Sequence, residues 1–487
     1  MFTYCWKRYE MALTSLKTGG LLSVIILILA VYYKRSNDEY LETHIHEVLD
    51  GLLRAERKVQ QDQKTKVAVG FGACFDYYTN ATQLLDSISV EPSSSPEHYT
   101  SINSKGELAQ LVAYFFGVGA AAERYIKNKV LWQEMLQGAQ GLPYMRTTVG
   151  GNAPVMAKRF ITEGFDVLLG ARISKKLANM ISPDMKVAGG DLMEDDVHIS
   201  LEYKTGEKWG PYTSPRANRI FLHSDQTNPY INALEEFQIA LREFNPKLLV
   251  IGGLQMLDHF PFELGERESR LQKLSDMLRT TQKETLVHFE MASFTEETLM
   301  LDLADYLIPY SDSLGMNEQE LPNIVSILTY RNITVLSDPY PRVATVLDQM
   351  RELYSLLEKF PETKGRRKVS RLHIHTLPFQ AILTRRNSAW KNTMSATAKA
   401  ALMGIRHVCN SSHIDLHKSK LIMDESFSTT TDDKFRERIP LNSNRPVSCW
   451  EEGDYQICVA PNLVCTDVVQ TGGGGDNISS AGLVLQI

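Results

Sequence analysis

Short apolar runs that end in or run into glycine, spaced by segments of helical periodicity, constrain this chain more than any other feature of its sequence. Residues 67–76 read VAVGFGACFD, 166–170 read DVLLG and 248–253 read LLVIGG. Each has the length of a buried strand, and each meets a residue type that lets the backbone turn. Further strand candidates are 197–203, 217–223, 286–291, 306–311 and 372–375, with helical patterns at 107–138, 158–164, 232–243 and 266–279. Strands that alternate with helices pack as a doubly wound α/β sheet, because a parallel crossover needs a helix-length connection over the sheet face. The strands around 197–223 are more polar and read as a separate β cluster suited to a lid. The body is expected over 67–487, with the lid near 80–148 and again at 195–222.

A chain of 487 residues can bury a large core. Its net charge of -6 is spread over many acidic and basic residues, so no nucleic-acid partner is expected. The six cysteines form no CxxC pair, which argues against zinc held by thiols, and they are too few for a disulfide scaffold.

The N-terminus differs from the rest. Residues 21–33 read LLSVIILILAVYY, with Lys7, Arg8 and Lys17 before the run and Lys34 and Arg35 after it. The run is shorter than the roughly 20 residues that span a bilayer squarely, and it has the length of a signal-peptide core. No small-residue cleavage pattern follows, so 1–36 reads as a signal peptide or an uncleaved signal anchor, with membrane association through 19–33. The basic flanks on both sides leave its orientation open. Residues 37–66 are charged and carry Leu41, Ile45, Val48 and Leu52 at helical spacing, the pattern of an amphipathic helix or linker.

Residues 468–482 read VVQTGGGGDNISSAG. Glycines feeding a helix N-terminus can face an anion with backbone N–H groups, and Asp476 at the helix start can take the proton of an attacking hydroxyl. Alone, such a run is as readily a flexible loop or a helix cap. Order and placement weigh against that reading. HFE at 288–290 and NEQE at 317–320 also sit at expected strand ends, with Asn317 and Glu320 placed on one helical face.

Ribokinase-like kinases carry a G-x-G-D signature that Gly473, Gly475 and Asp476 match, with N-x-x-E and H-x-E motifs upstream. GAAAER (119–124), GGNAPVMA (150–157), VHISLEY (197–203), ANR (217–219) and RLHIHTL (371–377) extend the match. On these segments the chain resembles the animal ADP-dependent glucokinases, a branch of that superfamily, over most of 67–487. The resemblance implies a three-layer α/β/α large domain with a smaller β-containing lid. It implies a kinase that moves the β-phosphoryl group of ADP to the 6-hydroxyl of D-glucose, giving glucose 6-phosphate and AMP. Asp476 would be the base, Gly473, Gly474 and Gly475 the anion hole, and Arg219 a fork on phosphate oxygens. Asp76, Glu123, Gly151, Asn152 and His198 would line the sugar pocket. Glu290, Glu320 and Asp476 would hold Mg2+. Apart from the resemblance, the catalytic body is expected to be a monomer, and the apolar run at 21–33 places it in the lumen of the endoplasmic reticulum or the secretory pathway.

Two departures bear on turnover. Gly72 stands where relatives place an asparagine, and TGGGGDN has more glycine than the usual signature. An ADP-dependent phosphofructokinase and a membrane-anchored, catalytically impaired binding protein remain as alternatives. The absence of a basic cluster near Asp76 and Glu123 speaks against the first. The joint presence of Glu290, Glu320 and Asp476 speaks against the second.

Overall fold

The computed structural model describes residues 2–59, 64–333, 338 and 340–487. Two sheets dominate them. The larger has ten strands. Its parallel part runs Met185–Ala188, Asp166–Gly170, Lys66–Gly70, Leu248–Ile251, Leu286–Glu290, Ser313–Asn317 and Arg371–His375 from one edge inward. Phe379–Arg385, Tyr455–Pro461 and Ser448–Glu452 continue it antiparallel. Both faces are covered, which is why these strands read as continuous apolar runs. Ala68 packs into one core with helices Leu234–Phe244, Glu266–Thr280, Glu297–Tyr306 and Val343–Glu358, while Val67 and Val69 face the other core with helix Asn152–Thr162.

The smaller sheet has six strands, in the order Ser101–Ile102, Ala122–Ile126, Asn218–His223, Asp196–Tyr203, Cys74–Asn80 and Arg146–Gly150. Its first strand in sequence begins at Cys74, so the chain enters this sheet before residue 80.

Several expected elements fall elsewhere. The helical stretch 107–138 is two helices, Lys105–Val118 and Lys129–Gly141, separated by strand Ala122–Ile126. The break is local: Gly119 takes a left-handed conformation (φ 66°) that ends the first helix, and Asn128 caps the second. Residues 306–311 are the end of a helix and a 3-10 turn, and the strand follows at Ser313–Asn317. Pro309 lies in that turn and suits it better than a central strand.

The N-terminal segments form one helix, Phe2–Arg57, without a break at 36 and ending before 66. Its two ends meet different surroundings. Ile26, Leu27, Ile28, Leu29, Val31, Tyr32 and Tyr33 are exposed. Val48, Leu49, Leu52 and Ala55 are buried against Ala398, Ala401, Leu402 and Ile405. Glu56 adds a forked ion pair with Arg406 (2.8 and 3.0 Å). No helix among the described residues is long and apolar enough to cross a membrane. Disulfides join Cys409 to Cys465 and Cys449 to Cys458, the latter directly opposite each other on paired strands.

Candidate active site

The parallel strands of the large sheet end at a cleft of about 1630 Å³ whose other wall is the smaller sheet. Asp76, Glu123, Gly151, Asn152, His198, Arg219, Glu290, Glu320, residues 473–475 and Asp476 all line it. Residues up to 400 positions apart in sequence are thereby brought to one opening.

At one pole, helix Gly474–Val484 points its N-terminus into the cleft. Gly473 precedes it in the left-handed region (φ 69°), a conformation that costs a residue with a Cβ. The N–H of Asn477 donates to Gly473 O, so the amides of residues 474–476 lie ahead of the first helical bond and are the groups a helix offers to an anion. His407 contacts the Gly472 carbonyl (2.7 Å) and holds the loop from behind. Asp476 sits in this first turn and accepts a bond from Asn152 Nδ2 (2.8 Å). Asn152 in turn accepts from Gln255 Nε2 (2.5 Å). Burial, and then the charge of Glu290, push the Asp476 carboxyl up to about 7.

Glu290 closes strand Leu286–Glu290 and is almost fully buried. His288 (2.8 Å), Ser479 (2.5 Å) and His375 (3.4 Å) surround its carboxylate. Burial alone would raise its pKa, but the two imidazoles outweigh that and hold it well below the carboxylate range. Glu320 behaves oppositely. Burial, with Glu290 and Glu318 nearby, drives it up to about 7 against the opposing charge of His375. Asn317 does not share a helical face with it. Asn317 ends strand Ser313–Asn317, and Glu320 begins helix Glu320–Tyr330. The two exchange bonds: Glu320 N–H donates to Asn317 Oδ1 (2.9 Å), and Asn317 N–H and Nδ2 donate to the Glu320 carboxylate (2.9 and 2.8 Å). The N-x-x-E spacing is therefore that of a reciprocal cap at a strand-to-helix turn.

At the other pole, strands Cys74–Asn80 and Asp196–Tyr203 pair in parallel and set Asp76 beside His198. Burial pushes Asp76 up to about 6. Gly150 lies on the adjacent strand Arg146–Gly150, paired with Cys74; a Cβ there would come within 1.9 Å of Asp76 Oδ1, so this glycine makes room for the carboxylate. Glu123 and Arg219 are half-buried on neighbouring strands. Arg219 leans on Phe221 (5.9 Å) and donates to Asn218 (3.2 Å). Its charge reaches Asp476 and opposes the rise of that carboxyl.

The model of the family described as "ADP-specific Phosphofructokinase/Glucokinase conserved region" matches residues 65–485, which includes every one of these positions. The chain belongs to this family. It is 32% identical over 423 residues to an ADP-dependent glucokinase of Bos taurus, covering 86% of this chain and 84% of the relative. It is 26% identical to a probable ADP-dependent glucokinase of Caenorhabditis elegans, covering 95% and 94%. Among solved structures, an ADP-dependent kinase in complex with fructose-6-phosphate and ADPbetaS superposes with a TM-score of 0.65 at 15% identity, covering 91% of this chain and 97% of that one. That likeness establishes the ribokinase-like α/β fold.

Within this family frame, several lining or supporting groups escape sequence reasoning. Gln255, Glu318, Tyr78 and His375 face the cleft, and Ser479 braces Glu290 from helix Gly474–Val484. His375 had a signal. RLHIH alternates charged and apolar residues, which puts Arg371, His373 and His375 on one face of a strand buried on both sides. Gln255 lies in a short 3-10 helix with nothing in its neighbourhood to single it out.

The groups whose ligand atoms lie within 4.8 Å of one another, among the described residues, are Cys74–Asp76–His198 and His198–His223–Asp225; Glu290, Glu320 and Asp476 are not such a cluster. Glu290, Glu318 and Glu320 nevertheless face one part of the cleft, and Glu290 and Glu318 raise the Glu320 pKa by mutual repulsion. This hard-oxygen, charge-strained set fits a divalent cation such as Mg2+. Because the Glu290 carboxylate is already surrounded by His288, His375 and Ser479, it fits contact through water better than direct ligation.

Proposed function

We propose that this protein is an ADP-dependent glucokinase that converts ADP and D-glucose to AMP and glucose 6-phosphate. The observation that carries the reading is Asp476, held in the first turn of a glycine-fed helix and facing a wall of sugar-compatible polar groups across the cleft. The ADP-dependent glucokinase of Bos taurus, similar over most of both chains, supports it. The sugar 6-hydroxyl attacks the β-phosphorus, the bond to AMP breaks, and the hydroxyl proton passes to the Asp476 carboxylate. The N–H groups of 474–476 and Arg219 are placed to bind the phosphoryl oxygens, and Asn152 orients Asp476. Asp76, Glu123, Gly151, Asn152 and His198 bind the sugar. Glu290 and Glu320 would hold Mg2+ nearby, which would supply charge neutralisation on the donor phosphates. The smaller sheet serves as a lid whose closure excludes water as a competing acceptor. The acidic surroundings of Asp76 and Glu123 disfavour a sugar that is already phosphorylated, which separates this reading from a phosphofructokinase. The test is the full chain in detergent with Mg2+, ADP or ATP, and glucose or fructose 6-phosphate. Phosphorylation of glucose from ADP is expected; its absence sinks the reading.

We further infer that the body lies in the lumen of the endoplasmic reticulum, associated with the membrane through residues 19–33. The exposed apolar side chains from Ile26 to Tyr33 and the two disulfides support this, since disulfides persist in oxidising compartments. Asn332 and Asn410 are exposed acceptor sequons, whereas Asn80 is engaged in a helix cap and with Glu207. Protease protection in intact microsomes together with a glycan at Asn332 or Asn410 is expected. Digestion from outside with no glycan at any sequon would count against it.

A further inference from the structure

The sugar-binding Asp76 and His198 belong to a buried polar row whose other members the reaction as derived does not use. Strand pairing sets Asp76, His198, His223 and Tyr125 side by side across four strands of the smaller sheet. Asp225, two residues beyond His223, folds back beneath this row and is 1% exposed. Its carboxylate contacts His198 Nε2 through both oxygens (2.9 and 3.1 Å) and approaches His223 Nδ1 (3.5 Å). The loop that carries it is pinned in turn, because Asp196 accepts bonds from the N–H groups of Gln226, Thr227 and Asn228.

We propose that Asp225 is a positioning residue for sugar recognition: it fixes the ring plane and proton of His198, so that the far edge of the imidazole is presented toward Asp76, Cys74 and the cleft. A carboxylate this deeply buried needs a hydrogen-bonded partner, and His198 supplies one. The pairing holds Nε2 as a donor to Asp225, which leaves His198 able to meet the sugar side with its other nitrogen. The charges on both groups agree with this. Burial opposes ionisation of each, yet their mutual attraction raises His198 and holds Asp225 below the carboxylate range. Asp225 does not line the cleft, so it acts on the substrate through His198 alone.

The proposal rests on the sugar pocket assigned above. Wild-type turnover of glucose with ADP is therefore measured first, and failure there counts against the function and not against Asp225 in particular. In Asp225→Asn the KM for glucose is expected to rise about 10- to 100-fold, the range set by one disrupted buried polar contact, with the KM for ADP and kcat within about threefold of wild type. In a His198→Asn background the same change is expected to add nothing. A parallel loss in kcat and in both KM values, or an Asp225 effect that persists without His198, overturns the proposal. Should Asp225→Asn not fold, ring 15N shifts of His198 in the wild-type protein decide: a proton on Nε2 is expected, and a bare Nε2 overturns it. Stoichiometric zinc in the purified protein, whose removal reproduces the Asp225→Asn phenotype, would make Asp225 a metal ligand and overturn it as well.

Discussion

The two poles of the cleft bury carboxylates in opposite ways. On the side of Asp76, Asp225 is matched by His198 and stays ionised behind the cleft wall, while Asp76 itself is lifted by burial to about 6. On the phosphate side, Glu290 has imidazole partners, whereas Asp476 and Glu320 have amide donors and drift up to about 7. Amide donors satisfy lone pairs without cancelling charge, so burial wins there. An imidazole partner thus presets a charge within the fold, while a carboxylate held by amides keeps an acidity that a cation or a reacting hydroxyl can use.

The contrast is broken most severely at Asp476. Asp476→Asn keeps the shape and the neighbour Asn152 but cannot take a proton, so kcat is expected to fall about 10²- to 10⁴-fold with the glucose KM nearly unchanged. Single-turnover and steady-state rates check this; more than a tenth of wild-type kcat would remove Asp476 from the role of base.

Glu320 and Glu290 separate metal binding from stability. Glu320→Gln is expected to raise the Mg2+ requirement about 10- to 100-fold, more than it changes the glucose requirement. The change in Tm should be small, because the amide keeps one acceptor oxygen for Asn317 and loses the other, while removing a charge that burial disfavours. Glu290→Gln should also raise the Mg2+ requirement, and in addition lower the Tm, since it strips the counter-charge from His375 and a strong acceptor from His288 and Ser479. Mg2+ titrations and melting curves of both variants measure the difference, and unchanged Mg2+ dependence in both would remove these carboxylates from the metal.

The pH profile sharpens the comparison. A base titrating at about 7 is protonated and idle below that value, so kcat is expected to fall about tenfold per pH unit on the acid side and level off above. Removing the charge of Glu290 removes one cause of the rise, so Glu290→Gln at saturating Mg2+ should move this limb to lower pH.

The smallest effect is on the ligand-free protein. The folded state holds protons on Asp476 and Glu320 that the unfolded chain has already released between about pH 4 and 7. Their contribution therefore favours folding in acid and is lost as pH rises through the folded values near 7. Asp476→Asn should flatten part of this decline in Tm between pH 5 and 8, as read by calorimetry.

Much of the frame is legible in the sequence, because buried parallel strands must be apolar throughout and glycine is the economical residue for a left-handed turn. Runs 67–70, 166–170 and 248–251 declare themselves this way, as does Gly473 before helix Gly474–Val484. The boundary at residues 306–313 was not legible, since an apolar segment ending in a 3-10 turn has no period that distinguishes it from a strand. The motif residues were visible as types, and family resemblance assigned their roles. Tertiary structure decided what those types become. Whether a buried carboxylate stays charged depends on an imidazole or an amide arriving from another element, as His375 does from a strand for Glu290 and Asn152 from a helix for Asp476. Such partners lie tens to hundreds of residues apart in the chain. The free energy that sets each charge is a property of distance and burial, and local sequence carries neither.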